Sequence, residues 1–121
     1  MLFALKGTHR SKLPVEFLDA LRQTMLPHLH HTDLNVDYAA HSTGLSRQSL
    51  QRKLKASGTT FSAEVIELKK RHAAEDLLHS DKSVAEIAVS LAFTNPTSFS
   101  RAFRSWTGES PRHHRKRHRG R

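Results

Sequence analysis

SVAEIAVSLAFTNPTSFSRAFRSWTGESPRHHR, Ser83 to Arg115, is the stretch that decides the fold. Asp81 or Ser83 can cap a short helix carrying Val84, Ile87, Ala88 and Leu91, apolar positions spaced by three and four. After Ala92-Phe93, Asn95 caps a second helix that begins at Pro96, where a missing N–H leaves nothing unsatisfied. Phe99, Ala102, Phe103 and Trp106 fall at i, i+3, i+4 and i+7, a single apolar stripe. Gly108 stops this helix, and Ser110-Pro111 starts a last short one that frays into a basic tail. A short helix, a tight turn and a second helix with one polar face make a helix-turn-helix unit.

The same pattern occurs once more, upstream. Ala40-x-x-x-Gly44-Leu45-Ser46 matches Ala88-x-x-x-Ala92-Phe93-Thr94 at a shift of 48. Past the turn the shift is 49, pairing Leu50 with Phe99, Arg52 with Arg101 and Leu54 with Phe103. In each unit a small residue (Ala40, Ala88) lets the helices cross closely. A permissive residue (Gly44, Ala92) makes the turn, and an apolar one (Leu45, Phe93) plugs the corner. Asp33 or Asn35 caps the upstream unit's first helix; its second runs from Ser46 to about Ser57, and Gly58 ends it.

Two more helices complete the reading. Val15, Leu18, Leu21, Met25, Leu26 and Leu29, with Arg22 on the same face, predict a helix over 14–30 that opens on Pro14. Phe61, Val65, Leu68, Ala73, Leu77 and Leu78 predict a longer one over 60–79. No window alternates with period two, so the fold class is all-α, about seven helices in two helix-turn-helix subdomains joined by a long linker helix. The expected divisions are a lead-in at 1–12, a first subdomain at 13–58, a linker helix at 59–80, a second subdomain at 81–115 and a basic tail at 116–121. A linker of about 18 residues at ~1.5 Å per residue spans ~27 Å, near the ~34 Å of one DNA turn.

The outward faces carry the chemistry. Arg47, Gln48, Gln51, Arg52 and Lys55 lie opposite Leu50 and Leu54. Thr97, Ser98, Arg101 and Arg104 face out from the second unit, with Ser100 at the margin. Gln pairs bidentately with adenine and Arg with guanine in the major groove. Neither set contains an acid; Glu64, Glu67, Glu75 and Asp76 sit on the linker helix. The chain carries +9 over 121 residues, which favours a polyanionic partner. Residues 112–121 hold six Lys or Arg and no acid; without them fourteen bases face eleven acids, a net of only +3. Composition alone therefore does not assign DNA binding to the folded body.

Ser83–Arg115 resembles the C-terminal domain of AraC/XylS-type bacterial transcription regulators. The matching positions are Ile87-Ala88, Ala92-Phe93, Phe99-Ser100-Arg101-Ala102-Phe103, Gly108, Pro111 and Arg115, and in the first unit Ala39-Ala40, Gly44-Leu45-Ser46, Leu50-Gln51-Arg52, Leu54, Gly58 and Phe61. The resemblance covers about residues 13–115. It implies two recognition helices in successive major grooves on one DNA face, with base contacts at Gln48, Gln51 and Arg52 and at Thr97, Ser98 and Arg101. Pro96 and Ser100 also match contact positions, though Pro96 has no polar side chain with which to read a base. Three departures stand out: Ala92 replaces a glycine, His72 replaces an apolar residue on the linker helix, and His114 replaces an aromatic before the final Arg. His72 is expected either as a neutral, hydrogen-bonded core histidine, the favoured reading, or as a weak point at acid pH. The first unit is expected to supply more of the base reading.

Implied partners are double-stranded DNA, with RNA polymerase as a candidate, in a bacterial cytoplasm and on the nucleoid. The chain reads either as a fragment, monomeric or weakly associating, of a longer regulator whose sensor domain is missing, which is the favoured reading, or as a stand-alone binder controlled by its abundance. Cysteine is absent, which rules out disulfides and thiolate metal sites and fits a reducing compartment. No run approaches the ~20 apolar residues of a membrane span. No Gly-rich phosphate loop or nucleophile elbow suggests an enzyme, and no cofactor is expected. His28-x-His30-His31 and His113-His114 with His118 are the histidine clusters. Neither sets two ligands at i, i+4 beside a carboxylate on a defined helix, except His114 with His118 in a tail expected to be disordered, so adventitious nickel or zinc binding is expected rather than a metal site. Two alternatives stay open: a non-specific or architectural nucleic-acid binder driven by the tail, and a helical protein-interaction module.

Overall fold

The computed structural model describes residues 16–31 and 34–119. The lead-in at 1–12, the opening on Pro14, Asp33 as a cap and the last two residues of the tail lie outside them. The described residues form seven helices and no strand: α1 (16–25), α2 (Val36–Ser42), α3 (Arg47–Ala56), α4 (Phe61–His79), α5 (Val84–Ser90), α6 (Pro96–Thr107) and α7 (Pro111–Arg119). They gather into two compact units. The first holds residues 16–28 and 34–64, the second 29–31 and 65–119, so the division falls inside α4.

In the first unit α1 is shorter than its apolar spacing predicts. Pro27 has no N–H for a helical bond, and Leu26–His28 tightens into a 3-10 turn. Leu21, Met25, Ala39, Ala40, Leu50 and Leu54 are buried. Arg22 shares the inner face of α1 because it has a partner there. Its Nε lies 2.6 Å from Oε1 of Glu64, a buried carboxylate that also accepts from Thr59 Oγ1 at 2.9 Å. Asn35 is the cap of α2, accepting from Tyr38 N.

In the second unit Leu68, Ala73, Leu77, Ile87, Ala88, Leu91, Phe99, Phe103 and Pro111 are buried. Phe93 packs on Phe99 and Trp106 at centroid distances of 5.4 and 6.1 Å. Ser83, not Asp81, caps α5, and it does so reciprocally with Glu86. Asn95 caps α6, with Pro96 in its first turn. His72 is not a core histidine. The buried positions of α4 step by five from Leu68 to Ala73, which leaves His72 at the edge, its side chain 42% exposed and its Nε2 3.5 Å from Asp76.

The basic tail also differs from expectation. Instead of fraying at 116, α7 continues to Arg119. The physical reason is the C-terminal end of α4, whose last carbonyls have no helical partner. Arg115 donates to Leu77 O at 2.9 Å and Lys82 O at 2.6 Å, and Arg119 to Ser80 O at 2.9 Å. Two guanidinium groups at a helix C-terminus also meet the negative end of its dipole.

Candidate nucleic-acid interface

The two turns share one hydrogen-bond pattern. Gly44 N–H donates to His41 O and Leu45 N–H to Ala40 O, at 3.1 and 2.8 Å. Ala92 N–H donates to Val89 O and Phe93 N–H to Ala88 O, both at 3.0 Å. This is the Schellman cap, which needs its central residue in the left-handed region. Gly44 has φ +74°, and Ala92 adopts φ +66° despite its Cβ. The repeat seen in the sequence is thus a repeat of backbone geometry, and each turn delivers its following helix in a fixed frame.

Both second helices begin on a side-chain cap. Ser46 Oγ accepts from Ser49 N at 3.1 Å, and Asn95 Oδ1 from Ser98 N at 2.8 Å. In α3, Leu50 and Leu54 anchor the buried side, while Arg47, Gln48, Gln51, Arg52 and Lys55 are all exposed. They form two adjacent stripes. Arg47, Gln51 and Lys55, at i, i+4 and i+8, line a groove with Leu34, Val36 and Phe61. Gln48 and Arg52 form the neighbouring stripe. Arg47 is the member with an acid in reach, Asp37 of α2 at 3.7 Å.

In α6, Phe99 and Phe103 are fully buried, and Pro96, Thr97, Ser98, Arg101 and Arg104 are exposed. Ser100 is half-buried and lines a small cleft with Ser83, Ser110 and Arg112, so its hydroxyl is less available than those of Thr97 and Ser98. Gln48, Gln51, Arg52, Lys55, Arg101 and Arg104 have no side-chain hydrogen bond or ion pair among the described residues. Their donors are open to an outside partner.

The bases of α7 are employed differently. Arg117 makes two 3.0 Å bonds to the Glu109 carboxylate. This guanidinium and then the His114 ring at 2.7 Å hold the Glu109 carboxyl down to about 2. Arg115 and Arg119 grip α4, which leaves Arg112 and Lys116 as the α7 bases without an internal partner among the described residues. His114 takes the aromatic's place by packing edge-on against Phe103 at 5.3 Å. Burial pulls the Lys69 ammonium below its ordinary value, and it sits 5.1 Å over the Phe93 ring. Sequence reasoning missed Glu109 and gave Arg115 no task. The role of Arg115 is not local in the chain, and the signature arginine there was the available signal; the partners of Glu109 lie only four to nine residues on, and the His113-His114 and His118 cluster was the signal for it.

The family model described as a helix-turn-helix domain matches residues 39–117, spanning both turns and both capped helices. The chain belongs to the AraC-type helix-turn-helix family. It is a DNA-binding transcription regulator domain, of a family of regulators rather than enzymes. The transcriptional activator NphR from Rhodococcus is 32% identical over 103 residues, 85% of this chain and 31% of that protein. The ornithine utilization regulator from Pseudomonas aeruginosa is 36% identical over 81 residues, 67% of this chain and 24% of that protein. The chain therefore spans a third or less of the length of these two relatives. Among AraC-type structures, a transcriptional regulator from Chromobacterium violaceum superposes with a TM-score of 0.78 at 26% identity, covering 91% of this chain and 96% of that one. The DNA-binding domain of AdpA, solved with a target DNA, gives 0.72 at 28% identity, covering 85% and 93%. No helix among the described residues is long and apolar enough to cross a membrane.

Proposed function

We propose that this domain reads a specific double-stranded DNA sequence, with α3 and α6 as recognition helices in successive major grooves. The observation that carries this reading is the pair of exposed, acid-free helix faces on which Gln48, Gln51, Arg52, Arg101 and Arg104 have no internal side-chain partner among the described residues. Gln48, Gln51 and Arg52 would read bases from α3, and Thr97, Ser98 and Arg101 from α6. Arg47, Lys55 and Arg104 would position the phosphates. Pro96 would touch the duplex by shape alone, and Ser100 contributes least. The exposed Arg112 and Lys116 add sequence-independent attraction, while the engagement of Arg115, Arg117 and Arg119 weighs against a tail-driven binder.

Selection of preferred sites from a random duplex pool, followed by gel-shift titration, tests this. Arg52→Ala and Arg101→Ala should each relax preference at one base position, by roughly 1–3 kcal/mol. Arg52→Ala is expected to cost more. Arg112→Ala with Lys116→Ala should weaken all sequences alike and flatten the salt dependence. If neither single substitution alters sequence preference, the proposal fails.

A further inference from the structure

The cluster around Glu109 lies at the corner between α6 and α7 and takes no part in the proposed DNA reading. His114 Nδ1 lies 2.7 Å from Glu109 Oε2, and His118 Nε2 lies 3.7 Å from the same oxygen. One ligand atom from each of the three side chains lies within 4.8 Å of the others. His113 Nε2 is 3.6 Å from the other carboxylate oxygen. The rings of His114 and His118 stand 4.4 Å apart, one helical turn from each other on α7. Packing fixes the first of them. Its edge meets Phe103 at 5.3 Å, and its Nε2 is buried with no partner, so Nδ1 is the nitrogen that the ring offers.

We infer that Glu109, His114 and His118 form a binding site for a divalent transition-metal ion of the zinc class. Two imidazoles and one carboxylate on a helical frame are the donor set such an ion prefers, with a water or the nearby His113 as fourth ligand. A tetrahedral ion at ~2.1 Å from its ligands sets them about 3.4 Å apart. The 2.7 Å contact must open slightly and the 3.7 Å contact close slightly, both within the reach of side-chain rotation. A metal-bound Nδ1 carries no proton, so the ring must hold its proton at Nε2: the proton between Nδ1 and Glu109 leaves to solvent while Nε2 is protonated, and this buried N–H, which has no partner, lowers the affinity. Arg117, now bidentate on Glu109, gives way, since guanidinium and metal claim the same lone pairs. The metal would then hold α7 against the end of α6 in place of the arginine. The net positive charge of α7 and the competing Arg117 oppose a dication, which places the affinity below that of a dedicated structural zinc site.

The test is zinc titration of the whole chain, free of any histidine tag, by calorimetry, with thermal unfolding followed in parallel. One equivalent should bind at this corner and raise the melting temperature. His118→Ala removes an outer ligand without touching the core. It should weaken binding about tenfold or more, a change on the scale of losing even an outer-sphere partner, and abolish the melting shift. His30→Ala with His31→Ala should leave this site unchanged. Arg117→Ala removes the competing cation and should tighten zinc several-fold, an outcome that a merely structural histidine cluster does not give. The cobalt form should show the visible absorption of a four-coordinate nitrogen–oxygen site. The inference is overturned if zinc does not bind, if His118→Ala binds as tightly as the parent, if the binding tracks His30 and His31, or if Arg117→Ala weakens it.

Discussion

Ala92→Gly is a perturbation whose sign and size follow from backbone geometry alone. Ala92 is the single non-glycine residue with positive φ among the described residues, at +66°. An L-residue pays roughly 1–2 kcal/mol in that region. Glycine pays none of it, but frees the unfolded chain at a cost of roughly 0.4–1 kcal/mol. The net expectation is a stabilisation of about 0.5–1 kcal/mol, or roughly 2–8 °C for a unit of this size. Gly44→Ala is the mirror experiment. A Cβ built on Gly44 meets nothing within 4 Å at φ +74°, so no clash adds to the conformational term, and a loss of similar size is expected. The chain carries its own reporters. Its single tryptophan, Trp106, packs on Phe93 and Phe103 in the second unit, and its single tyrosine, Tyr38, lies in the first. Urea unfolding followed at both should show the Trp106 midpoint rising in Ala92→Gly and the Tyr38 midpoint falling in Gly44→Ala, each with unchanged slope. A Trp106 midpoint that stays or falls in Ala92→Gly would refute the reasoning, because the strain would then be relieved elsewhere.

Three further outcomes follow from named contacts. Arg115→Ala should destabilise the second unit by about 2–3 kcal/mol, since hydrogen bonds from a charged donor contribute about 1.5–3 kcal/mol; urea unfolding read at Trp106 measures it, and an unchanged midpoint would mean that Arg119 suffices. Arg22→Ala strands the buried Glu64 carboxylate and should cost about 3–5 kcal/mol, whereas Arg22→Met with Glu64→Leu should recover most of the loss; chemical denaturation of the three variants decides. Glu86 is held below its ordinary 4.5, first by the Ser83 backbone N–H and then by the Ser83 side chain. Its contribution is therefore present above pH 4.5 and lost as pH falls through the lower folded value. Ser83→Ala should cost about 1 kcal/mol at neutral pH and reduce, without removing, that acid dependence in a pH series of melting curves, because the Ser83 backbone N–H remains.

Much of the fold is legible in the chain because helix caps, turns and apolar stripes are local. Asn95-Pro96, Gly108 and the Phe99–Trp106 stripe specify α6 from neighbours within a few residues, and so they could be read in order. Where local signals competed, the sequence left a choice. Asp81 and Ser83 are both competent caps, and the reciprocal bond to Glu86 selects Ser83. His72 misled because a period of 3.6 puts it near Leu68, while the buried positions of α4 shift by five.

The site divides along the same line. The repeat at Ala40–Gly44 and Ala88–Ala92, the acid-free faces and the family signature were all determined by the sequence, since each is a matter of residue type at fixed helical spacing. The tertiary structure decided which cations are available and which are engaged. Arg115 and Arg119 look as open as Arg52 in the sequence, yet they hold carbonyls some 33–42 positions away. Glu109 looks incidental in the chain, yet it collects Arg117 and three histidines. The hydrogen bonds to the end of α4 depend on where folding brings distant residues, which no local periodicity encodes; the partners of Glu109 are only four to nine positions on, and their convergence depends on α7 staying helical through His118.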